Sequence, residues 1–232
     1  VSVADNELSI EVYNTKKWYE HIGINFGTPS ITVYLPQAEY RTLFIKANTG
    51  EVNLPNNFTF DSILITTSTG SVANRASASE LISIKTSTGK IVTENITAKQ
   101  LDLSVSTGNI EISNITCSND VKISVSTGKS NVTDITCKNF LTDGDTGDIY
   151  LRNVVASGRF DIARSTGDVT LNECDANKIY IETDTGDVFG TLLSEKVFIT
   201  STSTGEINVP NSTVGDKCEI ITDTGDITIS VK

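Results

Sequence analysis

Five acidic residues in the second half of the chain stand at equivalent positions, each directly after a Thr-Gly pair. Stacked along one edge, solvated carboxylates repel one another by about 1 kcal/mol per pair. A calcium ion takes carboxylate oxygens as ligands and would relieve that repulsion. A solvated acidic edge that keeps the protein soluble explains the same residues without a metal, so both interpretations stay open. The five residues are Asp148, Asp168, Asp187, Glu206 and Asp226.

Charged residues also cluster around the sixth and seventh Thr-Gly pairs, where paired carboxylates could act as the acid and base of a glycoside hydrolase. The cluster comprises Asp143, Asp145, Asp148, Arg152, Arg159, Asp161 and Arg164. At the same place Gly144 and Arg164 replace Val105 and Val125, three residues before the turn glycine. A broken pattern marks a site, a bend or simple drift. The chain has one His and no long loop to form a cleft, so we expect no enzyme, no catalytic residue and no cofactor-binding residue.

Four cysteines fall at positions that the repeat predicts to face inward: Cys117, Cys137, Cys174 and Cys218. Cys117 and Cys137 occupy the same position in successive repeats, so stacking would bring their Cα atoms to about 4.8 Å, within disulfide range. Free buried thiols that pack as small apolar side chains are the alternative. No CxxC or Cys/His spacing indicates zinc.

The elements that position these residues follow from the Thr-Gly pair, which recurs ten times at intervals of 19 or 20 residues. A repeat this short cannot fold alone and must stack on copies of itself. We expect each glycine to form a structural turn, with positive φ or a close approach between coils. The ten glycines are Gly50, Gly70, Gly89, Gly108, Gly128, Gly147, Gly167, Gly186, Gly205 and Gly225.

Apolar residues recur seven and five positions before each glycine, and two, four and seven after it. Alternation with period two predicts a strand on each side of the turn. A second bend is predicted six positions after the glycine, at Asn95, Asn114, Asp134 and Asn153, because Asn and Asp tolerate turn dihedrals. We also expect the Thr before each glycine to face inward and bond along its column.

Strands of successive repeats must pair in parallel, one coil about 4.8 Å above the next. The sequence therefore predicts an all-β protein, a single-stranded parallel β-helix (β-solenoid) of about ten coils over residues 43–232. Residues 1–42 lack the repeat and are rich in aromatic residues, and 30–36 read as a strand. We expect them to form an N-terminal β cap within the same domain. The other end is expected to be open at residues 226–232.

Composition excludes two classes of partner. The net charge of −11 and the pI of about 4.5 argue against nucleic acid, which needs a basic surface. No apolar run approaches the length of about 18 residues that a membrane span needs. The chain has no Met and no signal peptide. We therefore expect an extracellular or cell-envelope protein, tethered by a segment that this sequence does not include.

Two stretches, ITVYLP and YRTLFIKANTGEVNL, are followed by tandem copies of the pattern LxLxxSTGxIxxxNI. They resemble a bacterial cell-envelope family of adhesin candidates, a domain of unknown function, and the related toast-rack domains of envelope-stress systems. The resemblance covers nearly the whole chain. It implies a right-handed solenoid, an envelope location in bacteria and no assigned catalytic residue, so no functional residue carries over.

The function we expect is a non-catalytic adhesin or binding scaffold at the bacterial cell surface. Its partner would be a protein or a glycan at that surface, and end-to-end or edge self-association is a further expectation. One alternative is an envelope-stress regulatory ectodomain, whose partner would pair with the open end at 226–232 or dock on the cap. A polysaccharide-acting enzyme is the other alternative.

Overall fold

A computed structural model of the chain describes residues 1–4, 7–11, 30–36 and 38–232. The chain divides into two units, Val1–Pro36 and Gln37–Lys232. In the first unit, β1 (Ser2–Ala4) pairs antiparallel with β2 (Glu7–Ser9). The expected strand at 30–36 is wrong, because these residues form no regular secondary structure. The role of residues 1–42 as a cap stays a prediction, since aromatic residues on which it rests, Trp18 and Tyr19 among them, lie outside the described residues.

The second unit is a single sheet of parallel strands, in which each strand pairs with the equivalent strand of a neighbouring coil. Its strands are β3 (Glu39–Thr49), β4 (Val52–Leu54), β5 (Thr59–Thr69), β6 (Val72–Asn74), β7 (Ser77–Thr88), β8 (Ile91–Ala98), β9 (Gln100–Thr107), β10 (Ile110–Cys117), β11 (Asp120–Thr127), β12 (Ser130–Cys137), β13 (Asn139–Thr146), β14 (Ile149–Thr166), β15 (Val169–Thr185), β16 (Val188–Leu192), β17 (Lys196–Thr204), β18 (Ile207–Asn208), β19 (Asp216–Thr224) and β20 (Ile227–Val231). The predicted β-solenoid of about ten coils is confirmed. We number the coils 1 to 10 by the order of their Thr-Gly pairs in the chain.

The core of the solenoid is a set of aliphatic columns that run from coil to coil. Leu101 pairs in register with Val121, and Leu103 pairs with Ile123. The side chains of Leu103, Ile123 and Ile162 are at most 1 % exposed. The inward register predicted from the alternation of apolar residues is therefore confirmed.

Each turn glycine is required by its contact with the adjacent coil. All ten have φ between +109° and +157°, a region that residues with a Cβ rarely adopt. A Cβ added at Gly128 would lie 1.8 Å from the carbonyl oxygen of Gly108, and the equivalent clash occurs at every turn glycine except Gly50 in coil 1. The amide of each lower glycine donates to the threonine carbonyl of the coil above it, as from Gly70 to Thr88 at 2.9 Å.

The expectation that the Thr before each glycine faces inward is wrong. That Thr is exposed in every coil. The strand already bends at the residue two positions before the glycine, so that residue and the Thr both face solvent. The inward hydroxyl comes instead from the residue three before the glycine. Thr86 Oγ1 donates to the carbonyl of Gly70 at 3.2 Å, and Thr222 Oγ1 donates to that of Gly186 at 3.2 Å. These buried hydroxyls therefore add hydrogen bonds between the turns of adjacent coils.

The second bend is confirmed at the four predicted positions, whose φ values lie between +52° and +56°. Glu173 adopts the same conformation, with φ of +55°, although its residue type gave no indication of it. The side-chain amide Nδ2 of Asn114 donates to Asn95 Oδ1 at 2.8 Å, and Nδ2 of Asn153 donates to Asp134 Oδ1 at 2.8 Å. Asn and Asp at this corner therefore bond from coil to coil as well as accepting the left-handed backbone.

The coils do not stack in chain order at the C-terminal end. Coil 10 lies between coils 8 and 9, since β19 pairs with β15 on one side and with β17 on the other. In the same way, β20 lies between β16 and β18. The expectation that 226–232 form the open end of the stack is therefore wrong: coil 9, which contains Lys196–Asn208, covers Ile227 and Thr228 and is the outermost of the described coils, and only 229–231 remain paired on one side alone.

The turn contact predicts that Gly128→Ala is much more destabilising than Gly50→Ala. Gly50 loses only its favourable positive φ, which costs about 1–2 kcal/mol for a residue with a Cβ. Alanine at position 128 carries the same backbone cost, and its Cβ must also displace the backbone of coil 4. We therefore expect Gly128→Ala to lower the free energy of unfolding at least twice as much as Gly50→Ala. Urea titrations followed by circular dichroism measure both. Equal losses would contradict the close contact.

Candidate functional site

The acidic edge is a ladder of hydrogen bonds between coils. The amide of Asp187 donates to Asp168 Oδ1 at 2.9 Å, that of Asp226 to Asp187 Oδ1 at 2.8 Å, and that of Glu206 to Asp226 Oδ1 at 2.8 Å. Asp168 donates in the same way to Asp148 Oδ1 at 3.3 Å. Each aspartate thus satisfies a backbone N–H of the adjacent coil, which gives these acids a structural role.

The first member of the ladder also binds a lysine. Lys129 Nζ lies 2.9 Å from Asp148 Oδ2. That hydrogen bond lowers the pKa of the Asp148 carboxyl, and it raises the pKa of Lys129. Among the described residues, no three His, Cys, Asp or Glu side chains lie close enough together to hold a metal ion. The calcium site at Asp148, Asp168, Asp187, Glu206 and Asp226 stays a hypothesis.

The break in the repeat at Gly144 and Arg164 forms a groove of about 350 Å³ on the outside of coils 5 to 8. Pairing between β13 and β14 stops after Thr142 and Ile162 and resumes only at Thr146 and Thr166. A Cβ on Gly144 would lie 2.0 Å from Arg164 Nη1, so the missing side chain makes room for the guanidinium. The groove is lined by Ser124, Asp143, Asp145, Arg164, Glu182 and Asp184, among others.

Arg164 carries a charge into the interior of the solenoid. Its residue exposure is 3 %, and Nη1 donates to the carbonyl of Val125, two coils away, at 2.9 Å. Within the described part of the chain, Nε and Nη2 have no hydrogen-bond partner. Burial lowers the pKa of the guanidinium, and the nearby carboxylates of Asp143 and Asp145 oppose that shift. A buried guanidinium with only one of its three nitrogens hydrogen-bonded to the described residues lowers the stability of the fold.

The structure gathers only part of the charged cluster that the sequence indicates. Asp143 and Asp145 line the groove with Arg164, and Ser124 Oγ donates to Asp143 Oδ2 at 2.9 Å. Asp161 instead pairs with Arg159 at 3.6 Å. The remaining two, Asp148 and Arg152, are not among the residues that line the groove. The carboxylates that line the groove are exposed at Asp143 and Asp145, whereas the guanidinium of Arg164 beside them is buried.

A second surface was not indicated by the sequence pattern. Six residues, each three positions after a turn glycine, pair in register across coils 3 to 8 and form what we call the aromatic face. They are Val92, Glu111, Asn131, Tyr150, Thr170 and Phe189. Tyr150 and Phe189 are each 40 % exposed and stand two coils apart, about 10 Å. Beside them, a groove of about 220 Å³ is lined by Val92, Glu111 and Asn131.

The Tyr150 ring is held in place by the acidic edge. Its hydroxyl donates to Asp148 Oδ2 at 3.3 Å, and Lys129 Nζ lies 5.7 Å from the ring centroid. A positioned ring with one open side can stack on an apolar ligand surface, and its rim provides polar contacts. The aromatic face can therefore bind an extended molecule along the stack of coils.

All four cysteines are buried and carry free thiols, as one of the two alternatives expected. Desolvation raises the pKa of Cys137 to about 12, that of Cys174 to about 11 and that of Cys218 to about 12. It also raises the pKa of Cys117. At neutral pH these groups are protonated and unreactive, so they serve as core side chains.

Comparison with known proteins gives one match. A family model described as Toastrack DUF4097 matches the chain twice, over residues 1–125 and 117–232. No curated protein and no solved structure matches the chain. The two matched segments meet within a continuous sheet, because β10 pairs with both β8 and β12. None of the described residues belongs to a helix that is long and apolar enough to cross a membrane.

We predict that Arg164→Met stabilises the protein. Met removes a buried charge with two unpaired donors and keeps most of the side-chain volume, and such replacements often gain about 1–4 kcal/mol. Thermal and urea unfolding measure the change, with Arg159→Met as the matched control at an exposed site. A loss of stability larger than that of the control would show that the guanidinium is fully paired.

Thiol burial predicts that the native protein does not react with Ellman's reagent at pH 8, whereas the Ser201→Cys control reacts at once because that position is exposed. In urea, four thiols should react, and a count of two would reveal a Cys117–Cys137 disulfide. Folding raises the pKa values of these thiols above their ordinary value of 9.0. Their contribution to the free energy of unfolding is therefore complete below pH 9.0 and is lost as the pH rises toward about 12. Rapid labelling of the native protein would contradict this burial.

Proposed function

We propose that this chain, which belongs to the Toastrack DUF4097 family, is a non-catalytic binding scaffold of the bacterial cell envelope. The observation that carries the proposal is the aromatic face. Its two exposed rings stand on a rigid ladder of paired strands and are separated by Thr170. A rigid surface binds without the entropic cost of ordering a loop.

An extended glycan is the ligand that this face suits best. Sugars present apolar faces that stack on aromatic rings, and their hydroxyls bond to amide, hydroxyl and carboxylate groups. The face provides such groups at Glu111 and Asn131, on the side of Tyr150 away from Phe189, whereas the Thr170 hydroxyl between the two rings is buried. Two coil spacings, about 10 Å, are close to the length of two sugars in an extended β-1,4-linked chain.

The two alternatives have less support. For an enzyme, the groove at Arg164 offers exposed carboxylates at Asp143 and Asp145, but its guanidinium is buried and Asp143 accepts a hydrogen bond from Ser124. For a regulator that recruits a partner strand at 226–232, that segment would need a free edge, but β20 is paired along its whole length with β16, and Ile227 and Thr228 are also paired with β18, which leaves only a short free edge at 229–231. We therefore keep a cell-surface scaffold as the proposal, with antibody labelling of intact cells as the test of its location.

Removal of both rings should abolish most of the binding. We expect the protein to co-sediment with peptidoglycan sacculi, and the double variant Tyr150→Ala/Phe189→Ala to bind about 30-fold more weakly, at about 1 kcal/mol per ring. Phe44→Ala is the matched control, because it removes a 65 % exposed ring from a different strand face. Sacculi that fail to retain the protein, or that retain the double variant equally, would refute the proposal.

A further inference from the structure

Coil 10 occupies a slot between coils that are consecutive in the chain. Its outward residue Glu219 is in register with Tyr180 of β15 below and with Ile199 of β17 above. The turns agree, since Gly186 donates to the Thr224 carbonyl and Gly225 to the Thr204 carbonyl, at 2.9 and 3.0 Å. The slot therefore has the height of one coil. The two strands of coil 10 pair with β15 and β16 on one wall and with β17 and β18 on the other.

The two walls are joined without coil 10. Residues 193–195 climb two coil spacings, about 10 Å, which is close to the full reach of three extended residues. An ion pair between a buried lysine and a half-buried aspartate then joins the walls, because Lys196 Nζ of β17 lies 2.7 Å from Asp175 Oδ1 of β15. Ser194 accepts a further hydrogen bond from the same ammonium at 2.8 Å.

Coil 10 supplies the apolar filling of this end. Cys218, Ile220 and Ile227 are fully buried, whereas Ile207 of coil 9, which is in register with Ile227, is 45 % exposed. Beside this filling, the backbone amide of Lys232 donates to the Leu192 carbonyl at 3.0 Å, and its exposed side chain pairs with Glu173. An empty slot would expose apolar surface on both walls.

We propose that coil 10 of one molecule can occupy the slot of a second copy of this chain, so that two copies form a reciprocally exchanged dimer. The occupant is fixed by the structure, because the slot is filled by residues 216–231 of this same sequence. Every contact within the slot is the same in the exchanged and the closed form. Only the connection at 209–215 must open, which is the general condition for domain swapping.

The order of the chain favours this exchange during folding. Coil 9 is made before coil 10, yet it must leave a gap for it. Until coil 10 enters, the slot presents free strand edges that accept any segment of matching sequence. At low concentration the chain's own coil 10 is nearest, and at high concentration a neighbour's coil 10 competes with it.

The test uses two full-length variants, Tyr180→Cys and Glu219→Cys, unfolded together in urea and refolded over a range of protein concentrations before oxidation. Exchange places positions 180 and 219 of different molecules side by side, so a covalent heterodimer should form in a yield that rises with concentration. The double variant Tyr180→Cys/Glu219→Cys should instead close within one chain at low concentration, which verifies the slot.

The control mixture pairs Tyr180→Cys with Ser201→Cys, whose position lies on the upper wall and does not meet position 180 in either form. Random collisions would link both mixtures equally, and equal yields at all concentrations would overturn the proposal. Light scattering of the unsubstituted chain gives an independent readout. A dimer after concentrated refolding supports exchange, and a monomer at every concentration contradicts it. Neither result depends on glycan binding.

Discussion

The solenoid depends on one close contact, between each turn glycine and the glycine carbonyl of the adjacent coil. No side chain fits between them, so the turns approach as closely as the strands do, about 4.8 Å. That common spacing brings the aliphatic columns into register and lets short side chains reach the next backbone. The threonine hydroxyls inside and the aspartate carboxylates outside are consequences of this spacing.

The sequence predicts the coil well but not the order of the coils. The repeats share one period and one set of inward residues, so coils 9 and 10 fit on coil 8 in either order, and burial patterns cannot separate the two. The residue after each turn glycine gives no clearer indication. The side chains that accept the next coil's amide are short, as in Ser71, Asn109 and Asp226. Glu206 is longer and lies in the outermost described coil, but Glu51, Lys90 and Lys129 are also long and stand in coils that have a neighbour above, so side-chain length at this position does not fix the order of the coils.

The candidate sites show a similar division. The exchange of two valines for Gly144 and Arg164 was visible as a broken pattern, because inward positions must match from coil to coil. The aromatic face was not visible, because outward positions need no such match. There Tyr150 and Phe189 stand among residues of unrelated type. The acidic residues were found by their spacing, but their bonds to backbone amides depend on how the turn directs each side chain.

Amide hydrogen exchange at the ten turn glycines tests the account most directly. Nine of these amides, from Gly50 to Gly186 and at Gly225, donate to the threonine carbonyl of the coil above. In the described part of the chain, only Gly205 has no coil above it. The account predicts slow exchange at the nine and fast exchange at Gly205. Fast exchange at Gly225 with protection at Gly205 would contradict the inserted coil, and fast exchange at all ten would contradict the stack itself.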